Sequence, residues 1–246
     1  MPGKKILWLC SWYPDKTEPF NGDFIQRHAQ AASLYNDIHV IHVAADPSGR
    51  TRKTETEFHQ RKNLTEQTIR FPKTKSFYGR FKGHIKLLSL FRNAVEKYIR
   101  EKGKPDLVHV HVPVWAGVIA IELKKKYNIP FLVTEHWGIY NDVEINNYNT
   151  KSIRFKAKTK KILEEAAVFT SESLFLAEGV NRMVVKKEYE IIPNTVNTGL
   201  FFLKPKSHSS FRFIHEWKCE YFSDGDDTDH SKHSGRTYVW NIQNKK

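Results

Sequence analysis

The sequence predicts an α/β fold: a doubly wound parallel sheet of Rossmann-like type followed by an irregular C-terminal tail. Two observations carry that expectation. First, short, near-continuous apolar runs alternate with longer segments of helical period from Ile6 to Ile192. Runs of that kind belong to strands buried on both faces, and each parallel pair of strands needs a crossover that is usually helical. Second, 246 residues with 39% hydrophobic and 13% aromatic content suffice for one large domain or two small ones around a packed core. That composition excludes a wholly disordered chain.

The elements follow in order. Ile6 to Cys10 is the first strand, and Gly22 to Tyr35 the first helix, with Phe24, Ile25, His28, Ala31, Ala32 and Tyr35 at helical spacing. Ile38 to Ala44 is the second strand, and Thr68 to Phe71 a weaker one stopped by Pro72. From Phe81 to Arg100, the residues Phe81, Ile85, Leu88, Phe91, Val95, Tyr98 and Ile99 mark an amphipathic helix. Leu107 to Val112 is strand, Trp115 to Tyr127 helix, Phe131 to Thr134 strand, and Lys151 to Glu165 a basic helix. Ala167 to Thr170, Glu172 to Arg182 and Tyr189 to Ile192 read as strand, helix and strand, ended by Pro193. Beyond Leu203 the period fails. Phe211 to His215 can begin one more strand, but Glu216 to Lys246 contains the polar string Ser223 to His230, which can offset little of the entropy cost of ordering. The expected division is a domain at 1–203, a linker and strand remnant at 204–215, and a loosely ordered tail at 216–246.

Forty Lys and Arg against 27 Asp and Glu leave a formal charge of +13, which favours an anionic partner. The charge is concentrated: between Arg50 and Lys104 there are 16 basic and 5 acidic residues, a difference of +11. The helix Phe81 to Arg100 lies inside this stretch with Lys82, Lys86, Arg92, Lys97 and Arg100, and such a helix can rest on an anionic membrane surface. The bland alternative is a solvated basic face on a packed helix. Cys10 and Cys219 form neither a zinc pattern nor a disulfide framework, and the apolar run at Ile6 is too short for a signal peptide or a span. A cytoplasmic chain is expected, peripheral at the inner face of the membrane. No RNP or Cys2His2 pattern is present, so no nucleic-acid partner is expected.

Ligands of doubly wound sheets bind beyond the carboxyl ends of the strands, so the residues just after each strand are the candidates. The loop from Ser11 to Ile25 leads into a helix whose free amides can receive an anion, with Gly22 permitting close backbone approach. Asn21 or Asp23 can equally serve there as a simple helix cap. The loop has neither a GxGxxG nor a Walker pattern, which argues against a nicotinamide dinucleotide or a P-loop nucleotide. Thr134-Glu135-His136-Trp137-Gly138 places a histidine beside an acid, able to bond a hydroxyl or phosphate or to move a proton. His109 and His111 share a sheet face, as two metal ligands can, but the sequence places no third ligand and no metal is expected. Ile192-Pro193-Asn194-Thr195 is a turn after a strand, which Asn serves well for backbone reasons alone.

Six segments in this order and spacing carry a family resemblance: KKILWLCSWYP, PFNGDFIQRHAQAAS, PDLVHVHVPVWAG, FLVTEHWG, AAVFTSESL and IIPNTVNTGLF. Over roughly Lys4 to Phe202 the chain resembles the N-terminal, acceptor-side domain of family 4 glycosyltransferases of the GT-B architecture. The resemblance implies transfer of a hexose from a nucleotide-sugar, as co-substrate, to a glycan or lipid-linked acceptor, with retention and without a metal or other cofactor. It implies His136 as the catalytic histidine that contacts the transferred sugar. It implies a substrate-binding set of Gly22, Asp23, Arg27, Glu135, Trp137, Ser171, Glu172 and Asn194. Thr195 and Asn197 stand where the family's Pro-Asn-Gly-Val-Asp pattern has Gly and Asp. In the family, a second Rossmann-sized unit of roughly 150 residues follows the strand that FRFIH would open. Only 31 residues follow His215, and the break in pattern at Glu216 reads as a truncated frame without its donor-binding domain. The expectation is a chain inactive alone, with a non-catalytic basic module for anionic lipid or nucleic acid as the alternative.

Overall fold

The computed structural model describes residues 3–73, 77–199, 202, 210–216 and 237–243, with 77–80 and the last two segments described by backbone alone. The chain divides into two compact units, Met1–Asn197 and Thr198–Lys246.

In the first unit the elements run β1 (Lys5–Cys10), α1 (Asp23–Ala32), β2 (Asp37–Asp46), β3 (Glu55–Arg61), β4 (Leu64–Pro72), α2 (Phe77–Lys102), β5 (Leu107–His111), α3 (Ala116–Tyr127), β6 (Phe131–Glu135), α4 (Ile153–Glu165), β7 (Val168–Ser171), α5 (Leu174–Met183) and β8 (Glu190–Ile191). They build one eight-stranded sheet in the order β3-β4-β2-β1-β5-β6-β7-β8. Every pairing is parallel except β3 with β4. The expected α/β sheet is present, in mixed rather than wholly parallel form. The antiparallel edge strand β3 comes from a hairpin that the sequence does not advertise. Its two-residue turn is Lys62-Asn63, with Lys62 at φ 46, a conformation usually signalled by Asn-Gly.

Alternation along the strands feeds two cores. Leu7 and Leu9 of β1 point into a layer shared with Phe91 and Val95 of α2, Ile119 of α3, Ile162 of α4 and Leu176 of α5. Trp8 and Cys10 point the other way, against Ile25 and Ala29 of α1. The fully buried Leu, Ile, Val and Phe side chains among these contribute about 1.5–3 kcal/mol each. The α3–α4 approach requires Gly117, because a Cβ there would lie 2.5 Å from Ile162 Cγ2. A side-chain row crosses the α1 face of the sheet. His109 Nε2 is 2.6 Å from Thr134 Oγ1, which is 2.6 Å from Thr170 Oγ1. No described helix is long and apolar enough to cross a membrane.

In the second unit, β9 (Ser210–Glu216) contains the Phe211–His215 run and pairs antiparallel with β10 (Thr237–Gln243). β10 falls where the sequence shows no sustained period. The polar string 223–230, and most of the tail expected to be loosely ordered, lie outside the described residues.

Candidate functional site

The chain builds outward from β1 through β2 and β4, then crosses to β5 on the other side, so the strand order reverses at β1. That reversal opens a crevice at the carboxyl edge. The loops after β1 and β5 are tied together there. The Ser11 amide donates to His111 O at 3.1 Å, and its hydroxyl lies 2.7 Å from Val112 O and 2.6 Å from Val114 O. Val112 has φ 59 and Trp115 φ 78. Such conformations cost about 1–3 kcal/mol each and persist only where neighbours enforce them. Ser11 is one of those neighbours.

Gly22 is the N-cap of α1, at φ 68, with no side-chain capping bond, so neither Asn21 nor Asp23 caps the helix. A Cβ at Gly22 would meet the Trp12 carbonyl carbon at 3.0 Å. Helix and loop therefore approach as only glycine allows. Asp23 pairs instead with Arg27 one turn on, at 2.9 Å.

A chain of side-chain hydrogen bonds joins the end of one strand, three loops and a helix. His111 Nδ1, at the end of β5, is 3.1 Å from His136 Nε2, just beyond β6. His136 Nδ1 is 3.3 Å from Glu172 Oε2, just beyond β7. Asn194 Nδ2, beyond β8, donates to the same Glu172 oxygen at 3.2 Å, and Asn194 Oδ1 is 3.1 Å from His28 Nε2 on α1. Phe24 of α1 packs against the His136 ring with centroids 4.9 Å apart. The His136 side chain has no exposed surface, whereas that of Glu172 is 29% exposed.

Electrostatics follow from this burial. The hydrogen bond from His136 holds the Glu172 carboxyl below its usual range. Burial pushes His28 down, and pushes His109 and His111 far down, so the latter two are neutral. With Glu172 ionised, the bonding pattern assigns a proton to His136 Nδ1, leaving Nε2 to accept from His111 Nδ1.

Glu135 stands in the expected substrate set, but its carboxylate turns inward. Its oxygens accept from the amides of His136 and Trp137, each at 2.9 Å, and from Tyr140 Oη at 2.7 Å. It shapes the loop that presents His136. Burial pushes its pKa up to about 7. Ser171 is likewise buried, its hydroxyl donating to Ser173 O at 3.2 Å, while Ser173 caps α5. Trp137 meets Trp12 edge to face at 5.7 Å, which brings the Gly22 loop beside the His136 loop. The structure thus joins His136, Glu172 and Asn194 directly and sets Gly22 and Trp137 alongside. Asp23 and Arg27 satisfy each other on α1. His28 and His111 are network members absent from the expected set. The signal for His28 is its position one turn after Phe24 on a single helix face, and for His111 its place at a strand's carboxyl end. Among the described residues no group of three or more His, Cys, Asp or Glu is arranged to hold a metal ion.

Residues 27–200 match the family model described as Glycosyltransferase Family 4. Among curated proteins, the chain is similar to the putative teichuronic acid biosynthesis glycosyltransferase TuaC of Bacillus subtilis (strain 168), 28% identical over 186 residues, covering 73% of this chain and 46% of TuaC. Among solved structures it is similar to sucrose-phosphate synthase from Thermosynechococcus elongatus, with TM-score 0.58 and 20% identity over 81% of this chain and 50% of that one. The second likeness is one of fold, the GT-B type of α/β sheet. The chain spans about half the length of these relatives.

Proposed function

Because the chain belongs to glycosyltransferase family 4, we propose that its carboxyl edge is the acceptor side of a sugar-transfer site. The observation that carries this reading is the network His111–His136–Glu172–Asn194–His28, which links the carboxyl ends of β5, β6, β7 and β8 to α1, beginning beside the point where strand order reverses. Transfer breaks the bond between the anomeric carbon and the diphosphate oxygen of a nucleotide-sugar. It forms a bond to an acceptor hydroxyl oxygen, whose proton must leave. In this reading the reaction proceeds with retention and without a metal.

The exposed groups of the network, the Glu172 carboxylate and the Asn194 amide, accept from and donate to hydroxyls of the acceptor sugar. His136, enclosed behind them, fixes the Glu172 carboxylate and acts on the substrate through it. Negative charge develops on the departing diphosphate, and the backbone at the Gly22-capped start of α1 is suited to oppose it. The nucleotide itself is held by a facing donor domain outside the residues described. The acceptor is a glycan or lipid-linked sugar. TuaC is named for teichuronic acid biosynthesis, and a polysaccharide acceptor of that kind fits this reading. The corresponding location is cytoplasmic, peripheral at the inner face of the membrane.

Histidine ring spectra of the full chain, titrated with hexose glycosides and with uridine and guanosine diphosphate hexoses, test the reading. Glycosides should move the His28 and His136 signals, while nucleotide-sugars bind more weakly than micromolar and no sugar is transferred. Unmoved histidines with every glycoside would overturn the acceptor assignment. Micromolar nucleotide-sugar binding would overturn the need for a separate donor domain.

A further inference from the structure

α2 has 26 residues, against 12 in α3 and 13 in α4 packed beside it. At 1.5 Å per residue it is about 39 Å long, roughly twice its neighbours. Its second half packs on the sheet through the buried Phe91, Ala94, Val95 and Tyr98. Near its start, the His84 ring stacks 4.2 Å from the ring of Trp115, the N-cap of α3. The turns of α2 before His84 therefore overhang the start of α3. Phe81 and Ile85, one turn apart on one face, are 62% and 53% exposed, and Lys82 and Lys86 run beside them.

The other side of Trp115 is also basic. Lys158 Nζ of α4 lies 4.3 Å over the same indole ring, and Arg154, Lys158 and Lys161 share a helix face at i, i+4 and i+7. No Asp or Glu occurs from Gln67 to Val95 or from Ile145 to Leu163. An acid-free surface on two helices, with large apolar side chains standing open in its middle, matches a partner that is anionic outside and apolar just beneath.

We propose that the overhanging start of α2, with Trp115 and the basic face of α4, docks on an anionic lipid bilayer. Phe81 and Ile85 enter the interface, and Lys82, Lys86, Arg154 and Lys161 meet headgroup charge. This sharpens the peripheral location in the reading above and needs no sugar transfer, so its failure would leave the acceptor site untouched. The sequence offers the whole of Phe81 to Arg100 for the membrane. The structure withdraws the second half, where Phe91, Ala94, Val95 and Tyr98 are buried and Arg92 is bidentate to Glu122 at 2.8 Å.

The test is flotation of the full chain with phosphatidylcholine vesicles, with and without phosphatidylglycerol, at low and physiological salt. The chain should float with the anionic vesicles only. Phe81→Ser/Ile85→Ser and Lys82→Glu/Lys86→Glu should each lower partitioning at least about tenfold. Lys102→Glu, at the packed end of α2, should leave it unchanged, with circular dichroism confirming that each variant folds. Absence of binding to anionic vesicles would overturn the proposal. So would anionic-vesicle binding unaffected by Phe81→Ser/Ile85→Ser and matched by binding to dextran sulfate, since the surface would then read charge alone, as for an anionic polymer.

Discussion

His136 and Glu172 form a hidden and an open half of one unit: the imidazole has no exposed surface, and the carboxylate 3.3 Å away is 29% exposed. Glu172→Gln removes the charge that assigns the proton to His136 Nδ1. Nitrogen-15 spectra at pH 7 should show one His136 tautomer in the wild type and a mixture in the variant. Glycoside affinity should fall about tenfold or more, in keeping with about 1.5–3 kcal/mol for a hydrogen bond to a charged group. An unchanged tautomer would mean that His111 alone sets the ring.

Gly22→Ala should lower stability by about 2 kcal/mol, combining the left-handed backbone with the 3.0 Å approach to Trp12. Gly103 offers the comparison, since its φ is +82 but nothing lies within 4 Å of its Cβ position. Gly103→Ala should cost about 1 kcal/mol, the backbone part alone. Urea unfolding of both variants separates the two contributions.

Glu135 imposes a pH dependence of unusual sign. Its folded pKa, raised to about 7 by burial, means that the native state keeps the proton where the unfolded chain has lost it. Its contribution to stability therefore falls as pH rises from about 4.5 to 7, by about 3 kcal/mol in all. Glu135→Gln keeps an oxygen for the two loop amides and should remove this fall, as measured by denaturant unfolding at pH 5 and pH 8.

His42 acts in the opposite sense. It is buried neutral with Nδ1 2.9 Å from Cys10 O, and burial lowers its pKa to about 4. Its contribution is complete above about pH 6.5 and is lost as pH falls toward 4, again by about 3 kcal/mol. His109 and His111 share that direction, so the three buried histidines all oppose Glu135 on the acid side. His42→Gln should make the acid limb of the stability curve shallower.

The strands and helices from β1 to α5 are legible because burial on both faces writes long apolar runs and strong helical spacing. β3 is not, because Glu55–Arg61 carries a single large apolar residue, Phe58, and owes its conformation to pairing with β4. Within the site, strand ends locate His136, Glu172 and Asn194. The inward turn of Glu135 was legible too, by the two-residue period: Phe131, Val133 and Glu135 face one side, Thr134 and His136 the other. The partnership of His28 with Asn194 spans 166 positions and depends on tertiary folding that local patterns do not encode.

Parallel strands have no hairpin to fix their vertical alignment, and a slip of one residue turns every side chain to the wrong face. The His109–Thr134–Thr170 row works as a set of index pins across β5, β6 and β7. Each pin fits only when the three strands stand at one height. The next residues to leave those strands toward the crevice are His111, His136 and Glu172, so the spacing of the site is metered by hydroxyls and an imidazole that never need to touch a ligand.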